Sequence, residues 1–429
     1  MKRVLIKDVI PENSVRIQGF LMHCRNKRNI AFLVLRDISG EMQVTVDKVA
    51  NPELGDIVNG LSLQSVLSIE GKVMANEYVK LNGIEILAES IKVESVAEPL
   101  PIQDDSFIDL KMDFRWIDLR SEKNQLIFKV QTDIVQSFRK FLLERSFIEI
   151  HTPKIIGAAS ESGADVFELN YFDKKAYLAQ SPQFYKQMAM ASGFDRIFEC
   201  GPVFRAEKSN TNKHTTEFTG FDLEFSYIES YHDIMILEQD MMAEMLLSVK
   251  EKYGDDIKRL FGVEVVVPEK PFPIMKLQDV YSELEKRYGY TVDDAEKGDL
   301  TTEAERLCAR LSNDMFSNDF LFITDYSADK RAFYHMRDEN GVPMGYDLIW
   351  KGVEITTGAQ REHRYEVLSK QAKEKGLDQD VKYYLEFFRY GCPPHGGFGM
   401  GVDRITMTLL GIAIKEVMFL FRGPNRLTP

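Results

Sequence analysis

The sequence predicts an α+β protein: a small closed β-barrel first, then a larger domain of long helices and β-hairpins. Three observations carry this. Short runs rich in Val, Ile, Leu and Phe, punctuated by Gly, Asn or Asp, fill the first hundred residues. From Leu126 to Arg145 apolar residues recur at three and four positions, the period of a helix with one buried stripe. Across Phe198–Ser226, apolar runs flank a polar stretch, and the second run alternates at period two, as in a hairpin with a half-buried arm.

Composition bounds the rest. A chain of 429 residues holds two or three domains with a large core. With 54 basic and 67 acidic side chains the net charge is −13, which argues against non-specific nucleic-acid binding. Residues 1–100 carry 12 basic and 13 acidic groups, so the excess negative charge lies downstream. A basic tract (Arg25, Lys27, Arg28) falls inside this near-neutral region. No apolar run is long enough to span a bilayer, and the start lacks a signal-peptide apolar core. Cys24, Cys200, Cys308 and Cys392 have no paired spacing, which argues against a zinc site or disulfide framework. The expectation is a cytoplasmic protein with no membrane association.

The barrel strands are expected at Ser14–Met22, Ile30–Asp37, Met42–Asp47, Ser65–Met74 and Gly83–Val93. Five strands at this spacing suggest an OB-type barrel, whose exposed face and loops bind single-stranded oligonucleotides. Phe32 offers a stacking face and Gln43 a base-edge amide; a core Phe and a surface Gln are the plain alternative. The expected division is a barrel at 1–97, a hinge at 98–122 opening on Glu98-Pro-Leu-Pro, and a second domain at 123–429. That domain is expected to carry a small helical insertion at about 231–315.

In the second domain, Ile127, Val130, Ile134, Phe138, Phe141 and Leu142 form the stripe of the long helix. Phe147–Thr152 reads as a strand closed by Pro153, which removes a ladder donor and favours an edge. A helix feeding an edge strand builds either a two-fold interface or ordinary core packing. Gln183 and Lys186 lie one helical turn apart and share a face, as a pocket pair or as solvated surface. Arg205 and Glu207 put a cation and a carboxylate on one sheet face, and the polar stretch Lys208–Thr215 suits a loop around a polyanion. Glu354 and Thr357 bracket a strand end and offer oxygens suited to Mg²⁺ shared with phosphates. Arg361 is expected just beyond, on a following helix. In Pro393–Arg404 the glycines admit close approach of a flat ligand, and Arg404, in the first helical turn, faces a phosphate or stacks on a purine. The dinucleotide reading of Gly399-x-Gly401 fails for want of a third glycine and a strand-helix-strand setting. Phe333–Met336 is expected to be a strand. His232, His335, Cys308 and the Met241, Met242, Met245 group are assigned no chemistry.

Several stretches taken together resemble a known family: the helix and strand ending in Pro153, Gln-Ser-Pro-Gln-Phe-Tyr-Lys, the Phe-Arg-Ala-Glu hairpin, Ile-Thr-Thr-Gly-Ala-Gln-Arg-Glu-His, and the Gly-rich run ending in Arg404. In this order, behind an OB-like front, they resemble class II aminoacyl-tRNA synthetases, specifically the archaeal/eukaryotic-type aspartyl-tRNA synthetases. The resemblance spans the chain. It implies an antiparallel catalytic sheet flanked by helices, a homodimer through the region of Pro153, and ATP and Mg²⁺ as cofactors. It also implies an ATP-dependent ligase that forms aspartyl-adenylate and passes L-aspartate to tRNA(Asp). Charging of tRNA(Asn) as well is left open, as are an asparaginyl enzyme and a non-catalytic tRNA-binding relative.

Carried over by position, Arg205, Glu207 and Arg404 are catalytic. ATP is implied to meet Arg205, Glu207, Lys213, His214, Thr215, Glu354, Gly401, Val402, Asp403 and Arg404. Aspartate is implied to meet Glu161, Gln183, Lys186, Arg205, Asp222, Thr357 and Arg361, with Asp222 orienting Lys186. The metal ligands are Glu354 and Thr357, and the anticodon contacts are Phe32, Gln43 and Glu85. Fixed cations facing the substrate side chain favour aspartate, since an amide leaves them unpaired. The chain departs from the family at Ser146, where Gly is usual, at Thr357, where Ser is commoner, and at Gly19–His23.

Overall fold

The structure, a computed structural model, describes residues 1–157, 166–208 and 214–429. The chain forms two compact units, Met1–Phe107 and Ile108–Pro429.

In the first unit, β1 (Ser14–Asn26), β2 (Ile30–Asp37), β3 (Gly40–Asp47), β4 (Val66–Ala75) and β5 (Ile84–Ser95) close a barrel in the order β1-β2-β3-β5-β4. Alternation decides the faces: Ala31, Leu33, Leu35, Met42, Val44 and Val46 point inward with no exposure. A helix that the strand pattern alone did not reveal, α1 (Pro52–Asn59), joins β3 to β4, and its Leu54 and Val58 join the barrel core.

The second unit opens with α2 (Ile108–Asp113) and α3 (Arg115–Asp118). This shortens the expected 98–122 hinge, because residues 108–122 fold into the second unit. Arg115 is buried there and donates to the carbonyls of Glu416 (2.6 Å) and Met418 (2.9 Å). Next come α4 (Glu122–Leu143), β6 (Ile148–Glu149), β7 (Ile155–Ile156), β8 (Glu168–Tyr171), β9 (Lys174–Leu178), α5 (Gln183–Ala191), β10 (Arg196–Phe204) and β11 (Glu217–Ser226). Ser121 caps α4 by accepting from the Asn124 amide, and the stripe from Ile127 to Leu142 is buried as its period requires.

The chain continues through α6 (Tyr231–Phe261), β12 (Ile274–Lys276), α7 (Leu277–Tyr288), α8 (Thr302–Phe316), β13 (Phe320–Thr324), β14 (Gly345–Trp350), β15 (Val353–Arg361), α9 (Tyr365–Glu374), α10 (Lys382–Glu386), β16 (His395–Gly401), α11 (Val402–Leu410) and α12 (Ile414–Val417). Eight strands form one sheet, ordered β12-β13-β14-β15-β16-β11-β10-β6. Its centre is antiparallel, but β6 pairs parallel with β10 and β12 with β13, so the sheet is mixed. Strand β6 lies at the edge, where Pro153 led the sequence to expect it. Within residues 231–315, α6 shares the main core with α4 and β12 joins the sheet, while α7 and α8 form a second core with β13. Phe333–Met336 is not a strand; an isolated bridge from His335 to Arg361 and the bond from the Met336 amide to the Gln360 carbonyl tie it to the sheet.

Candidate active site

One cleft gathers side chains from β10, β11, β15, β16, α5 and the first turn of α11. Strand β16 explains how. Gly397 faces Glu224 and Gly399 faces Asp222 across the β11–β16 ladder. A Cβ at Gly397 would lie 2.6 Å from Glu224 Oε2, and one at Gly399 would lie 2.6 Å from Asp222 Oδ1. These glycines therefore make room for carboxylates of the neighbouring strand, whereas the sequence suggested room for a flat ligand.

Arg361 is the last residue of β15, not the start of a helix. Its Nε donates to Glu224 Oε1 at 3.0 Å, and its Nη2 to Gln183 Oε1 (3.3 Å) and the Gly397 carbonyl (3.0 Å). Its Nη1 has no partner among the described residues, and the side chain lines the cleft. Arg361 is thus a cation held on two sides and open on the third.

Lys186 behaves otherwise. It shares a buried face with Gln183, as the helical spacing required, but its ammonium has no exposure and does not line the cleft. It donates to Asp222 Oδ1 (2.9 Å) and the Phe398 carbonyl (3.2 Å), and lies 3.5 Å from Glu224 Oε2. Lys186, expected to face the substrate side chain, is bonded to Asp222, which lines the cleft. Glu224, which the sequence reading did not single out, ties both cations together. Burial pushes its carboxyl up, but the Arg361 and Lys186 charges outweigh that and hold it below its ordinary value.

At the other end of the cleft Arg205, just past β10, lies 3.7 Å from Glu207 and over the Phe218 ring at 5.7 Å. His214 Nε2 is 3.9 Å from Glu207. The Thr215 hydroxyl donates to the carbonyls of Arg422 (2.7 Å) and Glu217 (3.0 Å). Arg404 donates to the Glu354 carbonyl at 2.9 Å and sits 3.9 Å from its carboxylate. Gly401 lines the cleft, but Val402 belongs to the hydrophobic core and is removed from the ATP set. The Asp403 carboxylate is turned inward, accepting from the Thr219 amide (2.8 Å) and Gln131 (3.0 Å), and burial pushes it up to about 6. It braces α11. Glu161 and Lys213 lie outside the described residues.

Glu354 and Thr357 both line the cleft, and the Thr357 hydroxyl donates to Glu354 Oε1 at 3.2 Å. Desolvation in the cleft and then the Asp347 charge push the Glu354 carboxyl upward, against the pull of Arg404 and Arg331. No cluster of three or more His, Cys, Asp or Glu suited to a metal occurs among the described residues. One carboxylate and one hydroxyl fit Mg²⁺ only where phosphates and water complete its shell, its usual arrangement. His335, assigned no chemistry from sequence, also lines the cleft.

On the barrel, Phe32 pairs with Thr45 and Val34 with Gln43, so all four share one outer face. Gln43 also pairs with Glu85 on β5. Lys27 Nζ lies 5.9 Å from the Phe32 ring. Glu85 is buried, accepting from Gln43 (3.1 Å) and Asn76 (2.6 Å) and also from the Thr45 hydroxyl. Burial alone would raise its pKa, but these three donors lower it. Glu85, expected to contact the anticodon, is held by these three donors and in turn fixes the Gln43 amide.

Residues 108–422 match the tRNA synthetases of class II (D, K and N), and residues 15–94 match the OB-fold nucleic acid binding domain. The chain belongs to the class II tRNA synthetases. Among its relatives, the aspartate–tRNA(Asp/Asn) ligase of Methanopyrus kandleri is 40% identical, with 100% of each chain covered. The aspartate–tRNA(Asp) ligase of Picrophilus torridus is 37% identical, again with 100% of each covered. The asparaginyl-tRNA synthetase of Pyrococcus horikoshii, solved with asparaginyl-adenylate, superposes with a TM-score of 0.91 at 30% identity over 100% of both chains. No helix is long and apolar enough to cross a membrane among the described residues.

Proposed function

We propose that the chain is an aspartate–tRNA ligase, activating L-aspartate with ATP and transferring it to the 3′ end of tRNA(Asp). The observation that carries this is the open edge of Arg361, a permanent cation whose other faces are already bonded. A substrate carboxylate accepts at that edge with either of two equivalent oxygens, whereas an amide offers one oxygen and turns an NH₂ donor toward a guanidinium that only donates. The asparaginyl alternative is not better supported: the asparaginyl enzyme is 30% identical, against 40% for the aspartate ligase of Methanopyrus kandleri.

In this reading Arg361, steadied by Glu224 and Gln183, binds the aspartate side chain. Arg205 bridges the α-carboxylate and the α-phosphate, so that its charge meets the charge developing as a carboxylate oxygen attacks phosphorus and pyrophosphate departs. Phe218 and Glu207 take the adenine side, and Arg404 takes the far phosphates. Glu354 and Thr357 hold Mg²⁺, which neutralises phosphate charge when bound. The terminal ribose hydroxyl of the tRNA then attacks the acyl carbon and AMP leaves. Phe32 and Gln43 read the anticodon.

The same reading includes a homodimer. Pro153 is exposed, as are Ile148 and Ile155 in the strands before and after it, at 51% and 49%, apolar surface that a second copy would cover. A cytoplasmic location belongs to it too, in keeping with four unpaired cysteines. Whether tRNA(Asn) is also charged is decided by the test of the whole proposal: aminoacylation of purified tRNA(Asp) and tRNA(Asn) with labelled aspartate. Charging of neither, or pyrophosphate exchange with asparagine alone, ends the aspartate reading.

A further inference from the structure

We propose that His335 is a substrate-binding residue of the amino-acid subsite, its imidazole donating Nε2–H to the side-chain carboxylate of the bound acidic amino acid beside Arg361. This rests on the aspartate reading and adds a contact to it.

The segment carrying His335 is irregular but fixed. His335 bridges Arg361 across the backbone, which sets the two side chains next to each other. Its carbonyl accepts from Gln371 Nε2 at 2.9 Å, and the same amide group donates to the Phe333 carbonyl at 2.6 Å. The Met336 amide donates to the Gln360 carbonyl. A ring on so constrained a backbone has little freedom to seek a partner elsewhere.

That ring has none. It is 4% exposed and lines the cleft, yet neither of its nitrogens makes a hydrogen bond among the described residues. Nδ1 is enclosed beside Gly345, where a Cβ would lie 3.2 Å away. The Nε2 edge is the one left for the cleft. Burial and the Arg361 and Arg331 cations keep the imidazole neutral, so it offers one donor and one lone pair. An N–H enclosed at Nδ1 would have no acceptor there, which puts the proton on Nε2. A polar group left without a partner in the wall of a site is accounted for when the ligand supplies one. The neighbouring open Nη1 of Arg361 selects a carboxylate as that ligand group.

Pyrophosphate exchange at varied L-aspartate tests this with His335→Phe, which fills the space without a donor, and His335→Gln, whose amide nitrogen falls near Nε2. Loss of a hydrogen bond to a charged group predicts roughly a 10-fold or greater rise in the aspartate KM for His335→Phe. The ATP KM should stay within about twofold, and His335→Gln should recover most of the loss. An aspartate KM within about twofold of wild type in His335→Phe overturns the proposal, as does an equal effect on ATP. Should the Phe variant not fold, the wild-type enzyme labelled with ¹⁵N-histidine decides: saturating L-aspartate must shift one neutral imidazole resonance that is missing in His335→Gln. No shift overturns it. A wild-type enzyme that exchanges only with asparagine fails the aspartate reading itself, which is a distinct outcome.

Discussion

Glu224 Oε1 lies 3.0 Å from Arg361 Nε while its other oxygen lies 3.5 Å from Lys186 Nζ, so one buried carboxylate links two buried cations from different elements, with Asp222 the nearer partner of Lys186 at 2.9 Å. Charges this enclosed persist only when paired, and removing one partner leaves the other costly. Glu224→Gln keeps the shape and removes the charge. Arg361 then loses the one carboxylate that orients it among the described residues. Denaturant unfolding should show a loss of about 3–5 kcal/mol, and the aspartate KM should rise at least about 10-fold. A variant as stable as wild type would mean the three charges are not coupled.

Arg205 is the opposite case. Its side chain is 44% exposed, and its nearest carboxylate is 3.7 Å away. Its contacts among the described residues are a long ion pair and a ring contact at a half-exposed site, so Arg205→Ala should change stability by less than about 0.5 kcal/mol. Loss of a charge aimed at the reacting phosphate should cut ATP–pyrophosphate exchange by at least about 100-fold. Near-normal exchange in a folded Arg205→Ala protein would remove Arg205 from the mechanism.

The difference between Lys186 and Arg361 explains how much the sequence disclosed. Periodicity placed Lys186 and Gln183 on one face without saying whether it is buried, and strand alternation set the barrel faces, because local repeat fixes direction. Whether a face meets the cleft depends on what β11 presents to it, and Asp222 stands between Lys186 and the cavity. Strand β16 was hard to see because Gly397 and Gly399 carry no apolar signal; their smallness answers to carboxylates on another strand. His335 owes its position to a bridge with Arg361 and to Gln371, neither of which is near it in sequence. Ser146 gives a converse example: its φ of 64° is the left-handed conformation that the glycine usual there adopts freely.

Beneath the cleft, Glu238 of α6 is fully buried and its Oε2 accepts from the Tyr346 hydroxyl at 2.6 Å. Burial raises its pKa from 4.5 to about 7, against the smaller pull of its hydrogen bonds. Between those values the folded protein keeps a proton that the unfolded chain has released. Stability therefore falls as pH rises through this window and levels off above it. The loss is of order 3 kcal/mol. Glu238→Gln retains an acceptor for Tyr346 without titrating, so its stability relative to wild type should rise by about that amount from pH 4.5 to 8. Parallel stability–pH curves for the two proteins would show that Glu238 ionises normally in the fold.

On the barrel, the test separates recognition of RNA from chemistry. Phe32 and Gln43 share an outer face with Lys27 near the ring, and Glu85 with its three donors holds Gln43 in place. Stacking of one base on an aromatic ring is worth about 1–3 kcal/mol, or roughly 5- to 150-fold in affinity. Phe32→Ala should lower kcat/KM for tRNA by a factor in that range. Amino-acid activation does not involve the barrel in this reading, so pyrophosphate exchange without tRNA should be unchanged. Phe32 is only half-buried in a barrel whose core is made by other residues, so the fold should survive. Equal losses in both assays would point to a structural role for Phe32, and an unchanged tRNA reaction would remove this face from anticodon binding.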